Sequence, residues 1–168
     1  MAGFAAAAEM PGLKVGDDAP DFTLTSGTGE EVTLSVVLED GPAVLVFVRS
    51  ADWCPYCRRQ LQDLEANRAM LEAAGAQLIA FSYDDAETQA KAVAKLGLSY
   101  PLLADPESQT IEAYGILNQE ARGKSLGVPH PAIFVVDAAG KVRAKLMEAD
   151  YRDRPSSAAI QEALEVLN

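Results

Sequence analysis

The chain has 168 residues, 49% of them apolar, and 14 Lys and Arg against 25 Asp and Glu for a net charge of −11. That length suits one domain, and the apolar share supplies a core, which argues against a disordered chain. The acidic balance disfavours nucleic acid and anionic membrane surfaces, and no run approaches the roughly 18 apolar residues of a membrane span.

Residues 1–12 read as a flexible tail of small residues, too short in its apolar part and without the basic flank of a secretion signal, so a cytoplasmic protein is expected. Residues 13–168 then form a single domain. Residues 22–24 and 32–34 alternate around Gly27-Thr28-Gly29 and predict a β-hairpin. The apolar run 44–48, after Gly41-Pro42, suits a central strand buried on both faces. Beyond Trp53 the period turns helical. Leu61, Leu64 and Leu71 share a face as far as Gly75, with Arg68 snorkelling or turned outward. Residues 77–81 are the next buried strand.

Asp85 caps a helix through Leu96 that Gly97 ends, and Asp84 beside it reads as solvated. Asp105-Pro106 is a further helix start, with Pro at the first helical position and Gly115 as the stop. Residues 132–136 and 142–146 are strands joined by a turn at 137–140. Ser156 opens a last helix that carries Ile160, Leu164 and Leu167 on one side. The order β-hairpin, β, α, β, α, α, β, β, α is that of an α/β fold with a mixed sheet, whose first crossover makes a parallel pair.

Cys54 and Cys57 are the only cysteines, which excludes a disulfide framework and a four-cysteine zinc site. Cys54 falls where the buried strand gives way to a helix. Backbone N–H groups there stabilise a thiolate, and Arg58 and Arg59 add positive charge. Cys57 stands one turn on, within reach of a disulfide. Pro55 suits the first helical turn. Three readings follow: a redox pair, a metal site using Cys54, Cys57 and His130, or two core cysteines. The strand–Cys-x-x-Cys–helix context favours the redox pair. Tyr83, Tyr100 and Tyr151 either line the site or pack, and Gly27-Thr28-Gly29 lacks the further glycine and helix of a phosphate loop.

The segment 13–24, the strand 44–48, Trp53-Cys54-Pro55-Tyr56-Cys57 and the stretch 131–137 together resemble the AhpC/TSA redoxins, peroxiredoxin-like proteins of the thioredoxin fold. The resemblance runs from Leu13 nearly to the C-terminus and includes Asp150-Tyr151. It implies a thioredoxin-like fold, an attacking Cys54, a resolving Cys57 and no cofactor or metal. Trp53 matches the tryptophan that often precedes such a pair. Pro131 resembles the proline held in cis opposite the active cysteine, with Pro129 as its rival, and this would bring His130 beside the sulfurs.

The chain also departs from the family pattern. The proline and hydroxyl of Pro-x-x-x-Thr/Ser-x-x-Cys are replaced by Phe47 and Ala51, with Ser50 one residue off. The arginine ahead of the Phe-x-x-Asp strand is replaced by Pro131, and Arg49 is either its substitute or a salt-bridged strand-end residue. Trp53, Pro55, Tyr56, Arg58, Arg49, His130 and Pro131 are thus the residues expected to shape the site. The resemblance implies a thiol-based reductase of peroxides, reset by a thioredoxin-like protein or glutathione. A thiol–disulfide oxidoreductase acting on disulfides is the alternative, and a Cys/His metal-binding protein a further one. It also allows a homodimer, although no residue names an interface.

Overall fold

The computed structural model describes residues 10–167, so residues 1–9 of the expected tail lie outside the described residues. Every residue of β3 (Ala43–Phe47) is buried, as its unbroken apolar run requires. Alternate side chains serve opposite faces: Val44 and Val46 join one apolar cluster, while Ala43, Leu45 and Phe47 join the other. β3 is the middle strand of a five-stranded sheet. It runs parallel to β4 (Gln77–Ser82), which in turn pairs in parallel with β5 (Leu102–Ala104). On its other side it meets β6 (Ala132–Val136) antiparallel, and β6 pairs antiparallel with β7 (Val142–Leu146). This mixed α/β architecture is the expected one.

One face of the sheet is covered by α2 (Pro55–Ala66), α3 (Arg68–Ala73), α4 (Ala86–Leu96) and α6 (Ser157–Leu164), whose buried residues include Leu61, Leu64, Leu71, Ala92, Ile160 and Leu164. The other face holds α1 (Leu34–Val37), α5 (Gln109–Ala113) and an aromatic group. In that group Phe47 stacks on Phe81 at 4.3 Å and meets Phe134 edge-on at 5.9 Å. The expected hairpin is β1 (Thr23–Thr25) with β2 (Glu31–Thr33), a separate two-stranded sheet. Its turn lies against α4 so closely that a Cβ at Gly27 would sit 2.8 Å from the Gln89 carbonyl oxygen.

Asp85 caps α4 by accepting from the Thr88 amide, and Gly97 ends it in the left-handed region at φ 67°. Three local expectations are corrected. The helix after Trp53 is broken at Asn67, whose side-chain amide donates to the Asp63 carbonyl and competes with the helical ladder. Strand β5 was not foreseen, being three residues directly after Pro101. α5 starts at Gln109 rather than at Pro106. Asp105 still caps it from a distance by accepting from the Thr110 and Ile111 amides.

Candidate active site

The C-terminal ends of the parallel strands β3 and β4 lie side by side, the usual place for a site in such sheets. From β3 the chain passes through Arg49 to Trp53 and reaches Cys54, the N-cap of α2. The Cys54 sulfur accepts from the Cys57 amide at 3.3 Å, and Pro55 takes the first helical position. Cys54 and Cys57 sit at disulfide distance with their Cα atoms 5.3 Å apart, and they are only 1% and 0% exposed. The Arg49 amide donates to Cys57 Sγ at 3.3 Å.

The turn before the cysteines is tied down by a buried carboxylate. Asp84, at the end of β4, accepts from Ser50 Oγ at 2.9 Å, the Ala51 amide at 2.8 Å and Ser82 Oγ at 2.5 Å. Ser50 Oγ in turn accepts from the Asp52 and Trp53 amides. Asp84 is therefore not solvated as the sequence reading expected: at 8% exposure it is part of the site's frame. Aromatic rings close the surroundings. Trp53 Nε1 donates to the Tyr83 hydroxyl at 2.8 Å, and that hydroxyl donates to the Lys124 carbonyl. Burial pushes the Tyr83 phenol up, against the opposing hydrogen bond from Trp53. The Arg49 guanidinium lies 5.1 Å from the Trp53 ring centre and 4.4 Å from that of Tyr151, and Tyr56 meets Tyr151 edge-on. Arg49 thus faces rings as well as supplying its amide to the pair. Tyr100 packs away from the site, its hydroxyl bonded to the Leu61 carbonyl.

The cation at the sulfurs is one the sequence reading missed. Arg154, in the segment between β7 and α6, places Nη2 3.3 Å from Cys57 Sγ and 4.0 Å from Cys54 Sγ. Its Nη1 donates to Gln60 Oε1 at 2.8 Å and its Nε to the Tyr151 carbonyl at 2.7 Å. Burial, with Arg49 nearby, pushes this guanidinium down to about 10. Neither Arg58 nor Arg59 is among the hydrogen-bond partners of the sulfurs, and the cation that bonds to them is Arg154. Its one signal in the sequence was position, directly ahead of the Pro155-Ser156 helix start.

His130 and Pro131 are placed in an adjoining cleft of about 460 Å³ that they line together with Arg49, Asn118, Met147 and Tyr151. The His130 amide bonds to the Ile116 carbonyl, and burial pushes the imidazole below its usual value against the pull of Glu120. Among the described residues no peptide bond is cis, so neither Pro131 nor Pro129 adopts the expected form. Nor do three His, Cys, Asp or Glu side chains converge among the described residues, so the structure does not bring Cys54, Cys57 and His130 together as the metal reading expected.

The AhpC/TSA family profile matches residues 15–145. The chain belongs to the AhpC/TSA family. It is 33% identical over 134 residues to peroxiredoxin Bcp of Escherichia coli K12, covering 79% of this chain and 85% of that protein. A putative peroxiredoxin of Mycobacterium tuberculosis is also 33% identical, over 77% of this chain and 82% of the relative. Among solved structures, peroxidoxin BcpB from Mycobacterium tuberculosis superposes with a TM-score of 0.78 at 28% identity, over 92% of this chain and 96% of that one. A peroxiredoxin-like protein from Aquifex aeolicus shares the fold, with a TM-score of 0.79 at 23% identity over 95% and 90% of the two chains. Membership together with the Cys54–Cys57 pair makes the chain a thiol-dependent oxidoreductase. Arg154 lies beyond the matched segment. Within it, Phe47 is part of the aromatic core, and Ser50, one place before Ala51, is held by Asp84.

Proposed function

We propose that the protein reduces peroxides through a two-cysteine cycle. The Cys54 thiolate attacks the peroxide O–O bond, leaving Cys54 as a sulfenic acid and releasing the alcohol or water. The Cys57 sulfur then displaces the sulfenic hydroxyl, which leaves as water, and the Cys54–Cys57 disulfide forms. A thiol donor, thioredoxin-like or glutathione, returns the pair to the reduced state. One observation carries this reading: Cys54 caps α2 with Cys57 already at disulfide distance, so resolution needs no rebuilding of the helix. Trp53, Pro55, Tyr56 and Arg49 hold the pair in place, while His130 and Pro131 line the neighbouring cleft.

The test is peroxide consumption by the reduced protein with a dithiol donor. Cys54→Ser is expected to abolish turnover. Cys57→Ser should still be oxidised once per chain, to a sulfenic acid detectable by mass, but should form no internal disulfide. Turnover by Cys54→Ser at the wild-type rate would refute the assignment. A second reading, thiol–disulfide exchange on a disulfide substrate, is favoured by the replacement of the family's proline and hydroxyl with Phe47 and Ala51. Insulin reduction at a higher rate than peroxide consumption would select it. No helix among the described residues is long and apolar enough to cross a membrane.

A further inference from the structure

In the disulfide state the Arg154 guanidinium is half-buried against groups that carry no charge. Its hydrogen-bond acceptors are the Tyr151 carbonyl, the Gln60 amide oxygen and the two disulfide sulfurs. The carboxylate in the same cleft, Asp63, is engaged by the Ser157 hydroxyl, and Asp150, four residues before Arg154 in the chain, pairs with Arg152. Arg49, Arg59 and Arg152 around it are cations like itself. A partly desolvated cation without an anion among the described residues is costly, and burial lowers the pKa of this guanidinium accordingly. Opening the disulfide changes this, because it creates a thiolate 3.3 Å from Nη2.

The two sulfurs are not equivalent. Cys57 Sγ has two donors at 3.3 Å, the Arg49 amide and Arg154 Nη2. Cys54 Sγ has the Cys57 amide at 3.3 Å and Arg154 only at 4.0 Å. In thiol–disulfide exchange the sulfur better stabilised as an anion is the better leaving group.

We infer that Arg154 is a catalytic residue of the reductive half of the cycle, the counter-ion that receives the Cys57 thiolate when a reductant attacks Cys54. A donor thiolate bonds to Cys54 Sγ, the Cys54–Cys57 bond breaks, and its electron pair passes to Cys57 Sγ opposite Arg154. A second donor thiolate attacks the donor's own sulfur in the mixed disulfide, freeing Cys54 as a thiolate and leaving the donor oxidised. Two donor thiols have then supplied two electrons. Arg154 directs attack to Cys54 and draws the couple toward its reduced form. The inference rests on the redox reading of the pair, not on the identity of the oxidising substrate.

The test equilibrates wild type, Arg154→Gln and Arg154→Lys with dithiothreitol redox buffers and counts free thiols by alkylation. Arg154→Gln should lower the equilibrium constant for reduction about tenfold, equal to about 30 mV for this two-electron couple. It should slow disulfide opening by a similar factor. Arg154→Lys should recover most of the loss, and Arg152→Gln, paired with Asp150 away from the sulfurs, should change neither. An Arg154→Gln constant within twofold of wild type overturns the inference. Should that variant fail to fold, thiolate absorbance of reduced wild type decides: both thiols titrating at or above about 8.5, the ordinary cysteine value, overturns it as well. Peroxide consumption is measured in parallel. A tenfold shift in a protein inert to peroxide would keep Arg154's role and remove the peroxidase reading, and an unshifted couple in an active peroxidase would do the reverse.

Discussion

Asp84 collects three donors, the Ser50 hydroxyl and Ala51 amide from the segment that delivers Cys54 to its helix and the Ser82 hydroxyl from β4. Asp84→Ala leaves those donors buried and unpaired, which costs about 3 kcal/mol. Urea unfolding should show that loss, and Cys54 oxidation should slow as the turn loosens; wild-type stability in Asp84→Ala would place the tether elsewhere. Asp105 is a second buried carboxylate. Burial pushes its carboxyl up, against amide hydrogen bonds from Ile111, Thr110 and Gln109. With the folded value above the unfolded one, the native state holds the extra proton. Asp105 therefore subtracts stability as pH rises from about 3.9 through the raised value. Asp105→Asn should lack that falling slope, so its stability relative to wild type should rise with pH across the window; parallel pH curves would contradict the sign. In sequence these two carboxylates look like their solvated neighbours. Asp84 stands beside Asp85, whose capping role is readable from spacing, and only the fold shows that Asp84 turns inward.

Elements with a strong local signal were legible. The buried strand β3, the cap and stop of α4, the turn between β6 and β7 and the start of α6 all follow from patterns within a few residues. What failed had its cause at long range. Three-residue β5 exists because β4 offers an edge and Gly27 and Ser26 of the hairpin turn bond to it, none of which a local window contains. Arg154 sits among Asp150, Arg152 and Asp153, a charge run that reads as solvated, and its partners lie 97 and 100 residues away. The cysteine pair was legible because all its parts are contiguous. Ser156, two residues after Arg154, links the two kinds of information: its Oγ accepts from the Ala159 amide and fixes where α6 begins. Ser156→Ala should cost about 1 kcal/mol and lower the melting temperature by about 2–4 °C. It should also shift the redox equilibrium part of the way toward that of Arg154→Gln. An unchanged melting temperature would show the cap to be redundant.

At the scale of the molecule, the charge of −11 surrounds a dithiol whose close charged neighbours are arginines. Self-repulsion of so many like charges weakens the compact state, and salt screens it over about 10 Å at 0.1 M. The urea midpoint should therefore rise between low and physiological salt; a flat response would mean that the negative charges are already spaced beyond effective repulsion.

The route of the chain adds a consequence in time. The dithiol lies in the first half of the polypeptide, while the guanidinium that reaches it comes 97 residues after Cys57. At about 5–20 residues per second, synthesis leaves roughly 5–20 s between them. Its segment is followed by α6, which packs on β7 and α3, both earlier in the chain. A ribosome-bound chain carrying both cysteines but no Arg154 is a dithiol without its counter-ion. A chain interrupted before Arg154 therefore lacks the one side-chain cation among the described residues that bonds to the sulfurs.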